Sequence, residues 1–207
     1  MKILKQTELN DAAKILQGGG VIAFPTETVF GLGVVFDDKE AYEKLVAVKR
    51  RPPEKPFTLM LADIEDIGKY AKLSNVAKAL IMKFMPGQFT IIVEAKQNLP
   101  KWCVSQTGGV GIRIADYDLI RNLIRKTGKP LLVPSANRSG EPPATNSEDV
   151  VKIFNEDVDA VIEGKSVSNT PSTVVIIENT HAHVKREGAV TEKEINEVIE
   201  KEINKWK

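Results

Sequence analysis

Four short segments of the chain carry polar or cationic side chains that an ordinary hydrophobic core would not require. They are residues 25–33, 49–52, 134–140 and 171–175, and each lies next to an apolar run. Burial does not explain small hydroxyl, amide and cationic groups at strand ends. These segments are therefore predicted to surround a polar, phosphorylated ligand.

The second segment concentrates positive charge at the end of a predicted helix. Lys49, Arg50, Arg51 and Lys55 lie close together there, and prolines stand between and beside them. Solvated cations in this position would complement the helix dipole. Alternatively, the prolines stiffen the loop, so that holding a phosphate would cost little conformational entropy. The sequence leaves both interpretations open.

The third segment follows a predicted buried strand and offers a hydroxyl and an amide. Alternation along the chain puts Ser135 and Asn137 on the same side, where they suit a neutral polar ligand or a nucleoside monophosphate. A serine or Asx turn is the alternative, but the position at a strand end favours a ligand. Farther along, Pro142 and Pro143 extend the chain, and Thr145 adds another hydroxyl.

Three further residues could bind an anion or a polar group. Arg113 lies inside an apolar strand, and a buried guanidinium needs an anionic partner, which a ligand carboxylate or phosphate could supply. Arg186 could serve the same purpose or pair with Glu187. Ser172, like Ser135, places a hydroxyl at one end of a predicted strand. The alternative is an ordinary strand without a ligand, since the following Thr173 has a high β-propensity.

Composition and isolated residues argue against several other functions. The 207-residue chain has a net charge of +1, which supplies no global field for nucleic acid. Because the chain has one cysteine, Cys103, an intrachain disulfide is excluded. Cys103 is predicted to be a buried residue rather than a nucleophile. His181 and His183 lack a third ligand, which predicts an exposed edge strand rather than a metal site. The absence of a signal or membrane-length apolar run predicts a cytoplasmic protein without a membrane partner.

The elements that must position these residues alternate between helices and strands. Helical periodicity predicts helices at 7–17, 39–49, 74–85, 116–126, 147–154 and beyond a capping box at 191–194, with Asp38 (or Asp37), Ser74 and Ser147 as N-caps. Short apolar runs predict strands at 21–24, 57–61, 89–93, 110–114, 131–133, 158–162, 173–177 and 183–186. Because no linker or repeat divides the chain, residues 1–207 are predicted to form a single α/β domain with a largely buried mixed sheet.

Together the four segments resemble the YrdC-type threonylcarbamoyl-AMP synthase family. Its pattern comprises a Pro-Thr-Glu-Thr start, a Lys-x-Arg loop, a Ser-x-Asn loop and a Ser-Thr-Val-Val strand. Here these are residues 25–28, 49–51, 135–137 and 172–175, and residues 86–90 resemble the family's Pro-Gly-x-x-Thr turn. The resemblance covers nearly all of the chain. It implies a single-domain YrdC-like fold, in which a twisted open mixed sheet with flanking helices surrounds a concave basic cleft.

The resemblance also implies a reaction in which L-threonine, bicarbonate and ATP give threonylcarbamoyl-AMP and pyrophosphate, for the tRNA modification threonylcarbamoyladenosine. Carried over by position, the residues that would bind L-threonine are Thr28, Arg113, Ser135 and Ser172. Those that would bind the nucleotide are Lys49, Arg51, Lys55, Asn137, Thr145 and Arg186, of which Lys49 and Arg51 would be catalytic. Mg²⁺ would accompany ATP, and the protein itself would hold no metal. Expected partners are a downstream threonylcarbamoyl transferase and, weakly, tRNA or double-stranded RNA.

Three positions depart from the family pattern. Lys55 stands where many members have Asn, Met60 replaces a His near the threonine, and Gly109 replaces a Thr that helps to hold nucleotide. The variant loop resembles that of hydrogenase-maturation carbamoyltransferases, which form a carbamoyl adenylate. Two alternatives follow: a paralogue that acts on another carbamoyl donor or acceptor, and a non-catalytic module that binds double-stranded RNA or tRNA. The few aromatic residues give the RNA module little support.

Overall fold

A ten-stranded sheet runs through the structure, a computed structural model that describes residues 1–51, 56–168, 170–178 and 181–205. The strands are β1 (Lys2–Leu4), β2 (Ile22–Phe24), β3 (Gly31–Val35), β4 (Leu59–Met60), β5 (Phe89–Glu94), β6 (Gly109–Arg113), β7 (Leu131–Leu132), β8 (Ala160–Ile162), β9 (Thr173–Glu178) and β10 (His181–Arg186). The helices are α1 (Leu9–Gln17), α2 (Lys39–Lys49), α3 (Ile67–Tyr70), α4 (Asn75–Phe84), α5 (Asp118–Thr127), α6 (Ser147–Phe154) and α7 (Glu192–Asn204).

The sheet is mixed and open, as predicted. Its strand order is β1-β8-β2-β3-β7-β4-β6-β5-β9-β10, so that β1 and β10 form the two edges. Parallel pairing joins β8 to β1 and β2, β4 to β6, and β5 to β9. The other neighbours are antiparallel.

Helices cover both faces of the sheet. Buried residues of α2, α4, α6 and α7 form one hydrophobic cluster with alternate residues of the central strands, such as Ile91 and Ile112. Residues of α1 and α5 pack on the other face with Phe24 and Leu131. Successive residues of a strand point to opposite faces. Arg113, which follows Ile112 in β6, therefore points to the face on which α1 and α5 lie.

Local sequence signals explain several helix boundaries. Asp38 accepts a backbone N–H from the first turn of α2, and Ser74 does the same for α4. Thr191 and Glu194 form the predicted capping box of α7. Gly128 ends α5 with a φ of 77°, a left-handed conformation that favours glycine.

Three predicted helix starts are wrong, and the first is that of α1, which begins at Leu9 rather than at residue 7. Asn146, rather than Ser147, caps α6, because Asn146 Oδ1 accepts the Asp149 N–H at 2.8 Å and Ser147 is already helical. Helix α5 begins at Asp118 rather than at residue 116. The N–H of Asp116 instead donates a hydrogen bond to Glu27 Oε1, at 3.0 Å.

Two strands form where the sequence predicts none. Strand β1 pairs with β8, and β3 pairs with β2 within the first polar segment. Glycine disfavours strands by propensity, yet a Cβ on Gly31 would lie 2.7 Å from Val133 Cγ1, and one on Gly33 would lie 2.6 Å from the Phe24 ring. Close packing requires both glycines. Residues 31–33 therefore belong to the core and not to a ligand-binding loop.

Candidate functional site

Arg113 is the centre of a buried polar group, the Arg113 cluster, which comprises Glu27, Thr28, Gly87 and Arg113. Arg113 Nη2 donates to Glu27 Oε1 at 2.8 Å and to Thr28 Oγ1 at 3.0 Å, and Nε donates to the Gly87 carbonyl at 3.3 Å. Nη1 makes no hydrogen bond to the residues that the structure describes. The protein thus fixes the guanidinium while one nitrogen, with two N–H donors, is left for a carboxylate or phosphate.

The ionic partner of Arg113 differs from the one expected. The sequence predicts a ligand anion, whereas the protein itself supplies the Glu27 carboxylate. Both side chains are more than nine-tenths buried, with 9% of Arg113 and 8% of Glu27 exposed. A buried pair of this kind holds its geometry because breaking it would leave an uncompensated charge.

The loop after β2 presents the Thr28 hydroxyl in a fixed orientation. Thr26 Oγ1 donates to the Val29 carbonyl at 2.7 Å and lies 2.9 Å from Thr28 Oγ1. Because the single hydroxyl hydrogen of Thr26 is used on Val29, Thr28 must donate to Thr26 and accept from Arg113. Thr28 is therefore left only with the capacity to accept a hydrogen bond from a ligand.

Ser172 and Arg186, predicted for different ligands, lie together at the start of β9. Arg186 Nε and Nη2 donate to the Ser172 carbonyl at 3.1 and 2.8 Å, and Nη2 lies 3.3 Å from Ser172 Oγ. Ser172 Oγ shares a hydrogen bond of 2.9 Å with Thr90 Oγ1. Burial, and then the charge of Arg113, lower the pKa of Arg186. Two guanidinium groups that repel each other create a place where an anion is favoured.

Lys49 lies at the buried end of α2 in a second group, the Lys49 cluster, with Ser135 and Asn137. Its Nζ donates to the carbonyls of Ser135 and Asn137, both at 2.6 Å, and to Asn137 Oδ1 at 2.8 Å. All three ammonium hydrogens are used, and every acceptor is uncharged. Lys49 thus ties down the loop at 135–137. In this geometry it does not reach out to a phosphate, unlike the direct contact predicted from the sequence.

The charge on Lys49 is costly at this position. Lys49 is 2% exposed, and burial, followed by the charges of Arg51 and Arg138, lowers its pKa from 10.5 to about 7. Arg51 lies two residues beyond Lys49, and its backbone N–H donates to the Val46 carbonyl of α2 at 3.2 Å. A nearby anion would offset the excess positive charge.

Ser135 and Asn137 close a turn with each other. Ser135 Oγ donates to Asn137 Oδ1 at 2.6 Å. Asn137 Nδ2 donates to the carbonyls of Arg138 and Glu141 at 2.8 and 2.7 Å. The Asn137 amide is therefore occupied by its own loop, which is the turn that the sequence left open as an alternative. Ser135 Oγ keeps its lone pairs for a ligand.

Backbone pairing brings the two clusters onto adjacent loops. Gly31 and Ser135 form an isolated antiparallel bridge. The Ala136 N–H donates to the Phe30 carbonyl at 2.7 Å, and the Phe30 N–H donates to the Ala144 carbonyl at 3.1 Å. The chain that carries Thr28 is consequently fixed against the chain that carries Asn137.

Arg51 is partly covered by an aromatic ring. Its guanidinium carbon lies 5.0 Å from the centroid of Phe57, and Nη2 donates to the Pro56 carbonyl at 3.4 Å. Burial lowers the pKa of Arg51. The following residues, including Pro52 and Lys55, lie outside the described ranges, so the predicted role of Lys55 stays a prediction.

Thr145 lies at the entrance to α6. Its Oγ1 donates to Asp149 Oδ2 at 3.3 Å, and its carbonyl accepts from the N–H and the hydroxyl of Ser166 at 2.8 and 3.0 Å. No hydrogen bond between described residues links Thr145 to the Lys49 cluster.

Met60 adjoins Arg113 in the sheet. The parallel register of β4 and β6 pairs Met60 with Arg113, and residues paired in this way have side chains on the same face. Met60 is 2% exposed and packs with the apolar residues under α1 and α5. A thioether therefore lies beside the guanidinium of Arg113.

Sequence reasoning missed two residues of the site, Glu27 and Thr90. The signal for Glu27 was present, since an acidic residue lies three positions beyond the end of a buried strand and a strand arginine needs a partner. Thr90 closes the Pro-Gly-x-x-Thr turn noted at residues 86–90 but was assigned no role there, because a buried threonine that binds Ser172 looks like any strand threonine.

Other reactive groups lie apart from these clusters. Cys103 is buried, as predicted, and burial raises its pKa to about 12. His181 and His183 are exposed on the edge strand β10, also as predicted. Within the described ranges, no three His, Cys, Asp or Glu side chains gather in a group that could hold a metal. The helices of those ranges include none long and apolar enough to cross a bilayer.

Comparison with known proteins points to one family over most of the chain. The model of Sua5/YciO/YrdC proteins, whose description is "Telomere recombination", matches residues 14–188. Over 181 residues the chain is 38% identical to a protein named threonylcarbamoyl-AMP synthase from Psychromonas ingrahamii. That match covers 83% of this chain and 93% of the relative.

Two solved structures share the fold. One is P. abyssi Sua5 complexed with L-threonine, with a TM-score of 0.91 and 28% sequence identity. The match covers 96% of this chain but only 61% of the Sua5 chain. The other is E. coli YciO, with a TM-score of 0.86 and 26% sequence identity. That match covers 94% of this chain and 98% of the YciO chain. The expected family resemblance is confirmed, and the chain belongs to the Sua5/YciO/YrdC family.

Proposed function

We propose that this protein is an L-threonylcarbamoyladenylate synthase, a nucleotidyltransferase that makes threonylcarbamoyl-AMP and pyrophosphate from L-threonine, bicarbonate and ATP. Support comes from relatives named threonylcarbamoyl-AMP synthase that match 83% and 76% of the chain. A Sua5 structure with L-threonine has the same fold. The product would serve the tRNA modification threonylcarbamoyladenosine.

The observation that carries the proposal is the geometry of Arg113. Three protein acceptors hold its Nε and Nη2, and Nη1 is left without a described partner. A guanidinium held in this way can bind a carboxylate without losing further side-chain entropy. In the proposed complex the carboxylate of L-threonine binds Arg113 Nη1, near the positive charge of Arg186.

Hydroxyl groups would surround the rest of the threonine. Thr28 can only accept a further hydrogen bond, whereas Ser172 can rotate between Thr90 and a ligand. Ser135 can accept on its free lone pairs. These three residues are proposed to bind the amine and the side-chain hydroxyl of the substrate.

ATP is proposed to bind on the side of the Lys49 cluster. Arg51 would contact the phosphates, and Thr145 and Lys55 would complete the nucleotide site. Lys49 and Asn137 are saturated by the loop at 135–137, so we assign them a positioning role, to which the Lys49 charge adds electrostatic attraction. Arg186 lies beside Ser172 and would meet the phosphate nearest to the threonine.

The proposed reaction requires no protein nucleophile. The threonine nitrogen attacks the carbon of bicarbonate, and hydroxide leaves and takes up one ammonium proton as water, while a second proton passes to solvent. An oxygen of the resulting carbamate then attacks the α-phosphorus of ATP, and the bond to the bridging oxygen breaks to release pyrophosphate. Fixed cations stabilise the charge that grows on the phosphates. Exclusion of water protects the labile carbamate.

Mg²⁺ is proposed to enter with ATP. The described residues provide no ready-made set of carboxylates for it, and Mg²⁺ commonly takes phosphate oxygens and water as ligands. When bound, it would neutralise the charge that develops on the departing pyrophosphate.

Release of pyrophosphate tests the proposed function. The full chain with Mg²⁺ should release pyrophosphate from ATP only when L-threonine and bicarbonate are both present, and much less when serine or alanine replaces threonine. Arg51→Ala should lower the rate by about tenfold to a hundredfold. The matched control is Arg125→Ala, which removes a surface ion pair with Asp63. No threonine-dependent release from the wild-type chain would overturn the proposal.

A second candidate is a paralogue that uses another carbamoyl donor or acceptor. The position of Met60 beside Arg113 favours it, because a thioether is a weak acceptor where a His could hydrogen-bond the substrate. Cleavage of ATP with carbamoyl phosphate, in the absence of threonine and bicarbonate, would identify this paralogue.

The proposed cellular setting follows from the chemistry. We propose that residues 1–207 form a single domain that acts in the cytoplasm. A labile threonylcarbamoyl adenylate must be consumed quickly, so its partner would be a threonylcarbamoyl transferase. Contact with tRNA itself would be weak.

A further inference from the structure

Two buried side-chain oxygen atoms lack a hydrogen-bond donor. Glu27 Oε2 and Gln88 Oε1 find no partner among the described residues. Glu27 as a whole is 6% exposed. A buried acceptor without a donor destabilises the fold, and native proteins keep few of them. Each of these oxygens is therefore a candidate for a group supplied by a ligand.

Glu27 contacts the Arg113 guanidinium directly, and Gln88 adjoins it in sequence through Gly87. The other oxygen of the Glu27 carboxylate accepts from Arg113 Nη2 at 2.8 Å. Gln88 follows Gly87, whose carbonyl accepts from Arg113 Nε at 3.3 Å. The backbone of Gln88 is fixed at this site as well, because its carbonyl accepts the N–H of Thr173, the residue after Ser172, at 3.0 Å.

The charges around Arg113 indicate what kind of ligand would fit. Arg113 offers unused N–H donors on Nη1, and Glu27 offers an unused carboxylate oxygen next to the one that Arg113 already holds. A ligand with a negative group and a positive donor group on neighbouring atoms would satisfy both. An ammonium is the strongest donor to a buried carboxylate, since such a hydrogen bond is charge-assisted.

We propose that Glu27 Oε2, assisted by Gln88 Oε1, binds the α-ammonium group of an amino acid whose carboxylate binds Arg113. Glu27 is thereby a substrate-binding residue, and it selects zwitterionic amino acids over simple carboxylic acids. The inference rests on the proposed function for the identity of the amino acid, but not for its zwitterionic class.

Calorimetric titration of the full chain without ATP tests this selection. The two ligands are L-threonine and (R)-3-hydroxybutanoate, which keeps the carboxylate and hydroxyl but lacks the ammonium. The wild type should bind threonine more tightly by about tenfold or more. Glu27→Gln preserves shape and removes the charge, and it should weaken threonine binding by about tenfold while 3-hydroxybutanoate binding stays the same.

A second variant and a control keep the result interpretable. Gln88→Met removes the amide oxygen, which makes no hydrogen bond to Arg113 in the described residues, and should weaken threonine binding by about threefold. Glu94→Gln changes an exposed carboxylate at the far end of β5 and should alter neither affinity. If Glu27→Gln does not fold, the effect of Gln88→Met on threonine alone decides.

Three results would overturn the inference. The wild type could bind both ligands equally; both ligands could lose the same affinity in Glu27→Gln; or Gln88→Met could leave threonine binding unchanged. In the second case Glu27 would only hold Arg113, and water would satisfy the free oxygen. A wild type that selects threonine through Glu27 but releases no pyrophosphate would uphold this inference and contradict the proposed function.

Discussion

At the scale of single residues, Arg113 and Lys49 illustrate two ways of burying a cation. Arg113 is paired with a carboxylate, and its charge is compensated within the protein. Lys49 is surrounded by uncharged oxygens and by other cations. The first arrangement keeps a guanidinium fixed and charged for a ligand. The second makes the charge state of Lys49 sensitive to pH near neutrality.

Replacement of Arg113 by lysine should damage threonine binding specifically. The planar guanidinium of Arg113 can hydrogen-bond its three protein acceptors and a ligand carboxylate at the same time. The compact ammonium of a lysine cannot reach all four. In the pyrophosphate assay, Arg113→Lys should raise the KM for threonine by about tenfold to a hundredfold, with a smaller effect on the KM for ATP. An unchanged threonine KM would exclude Arg113 from the substrate site.

The burial of Lys49 should appear as a pH dependence of stability. Below pH 7 Lys49 is protonated in both states, so the cost of burying its charge is fully present. Between its folded pKa of about 7 and the ordinary value of 10.5, the unfolded chain binds more protons than the folded chain, and stability rises with pH.

Urea unfolding of the wild type and of Lys49→Met measures this effect. From about pH 6.5 to about pH 9, the unfolding free energy of the wild type should gain about 2 kcal/mol relative to Lys49→Met. Lys39→Met, on the exposed surface of α2, should show no such gain. Parallel pH curves for the wild type and Lys49→Met would show that the ammonium is not destabilised by its environment.

At the scale of elements, the site depends on how loops are fastened to helices and strands. The turn at 135–137 is held by Lys49 from the last residue of α2 and by the bridge of Ser135 to the first residue of β3. Thr145 is fastened to the first turn of α6. Asp149 thus holds both the helix cap Asn146 and the loop that leads to α6.

Substitution at this cap should separate Asn146 from Ser147. Asn146→Ala removes the acceptor of the Asp149 N–H and should lower the unfolding free energy by about 1 kcal/mol. Ser147→Ala should change it by less than about 0.5 kcal/mol, because Ser147 is not the cap. Chemical denaturation measures both values, and a larger loss for Ser147→Ala would return the cap to Ser147.

At the scale of the whole molecule, charge is nearly balanced. There are 29 Lys and Arg residues and 28 Asp and Glu residues, and the net charge is +1. Part of the positive charge is committed to buried sites such as Lys49 and Arg113. A polyanion would therefore meet only a local basic surface.

Binding of tRNA should accordingly be weak and lost as salt rises. Filter binding of unmodified tRNA at about 50 mM and about 200 mM salt should show a marked loss of affinity, because electrostatic contacts to phosphates supply most of the binding. A tight complex that persists at the higher salt would favour the RNA-binding module instead.

The sequence by itself determined what depends on local patterns. Helix α2 begins at the predicted cap and ends at Lys49, because its signals lie within a few residues of one another. The same is true of the capping box of α7. The mixed sheet followed from the alternation of short apolar runs, and the family followed from motifs of contiguous residues.

Only the tertiary structure decided which distant groups pair. Glu27 meets Arg113 across 86 positions of sequence, and Lys49 meets Ser135 across another 86. Nothing in either local sequence specifies these partners. Strand β3 was missed for a related reason, since its glycines oppose a strand by propensity and are tolerated because Phe24 and Val133 occupy the space of a side chain. Local sequence sets which groups are available, whereas burial and long-range packing decide whether they bind a ligand or one another.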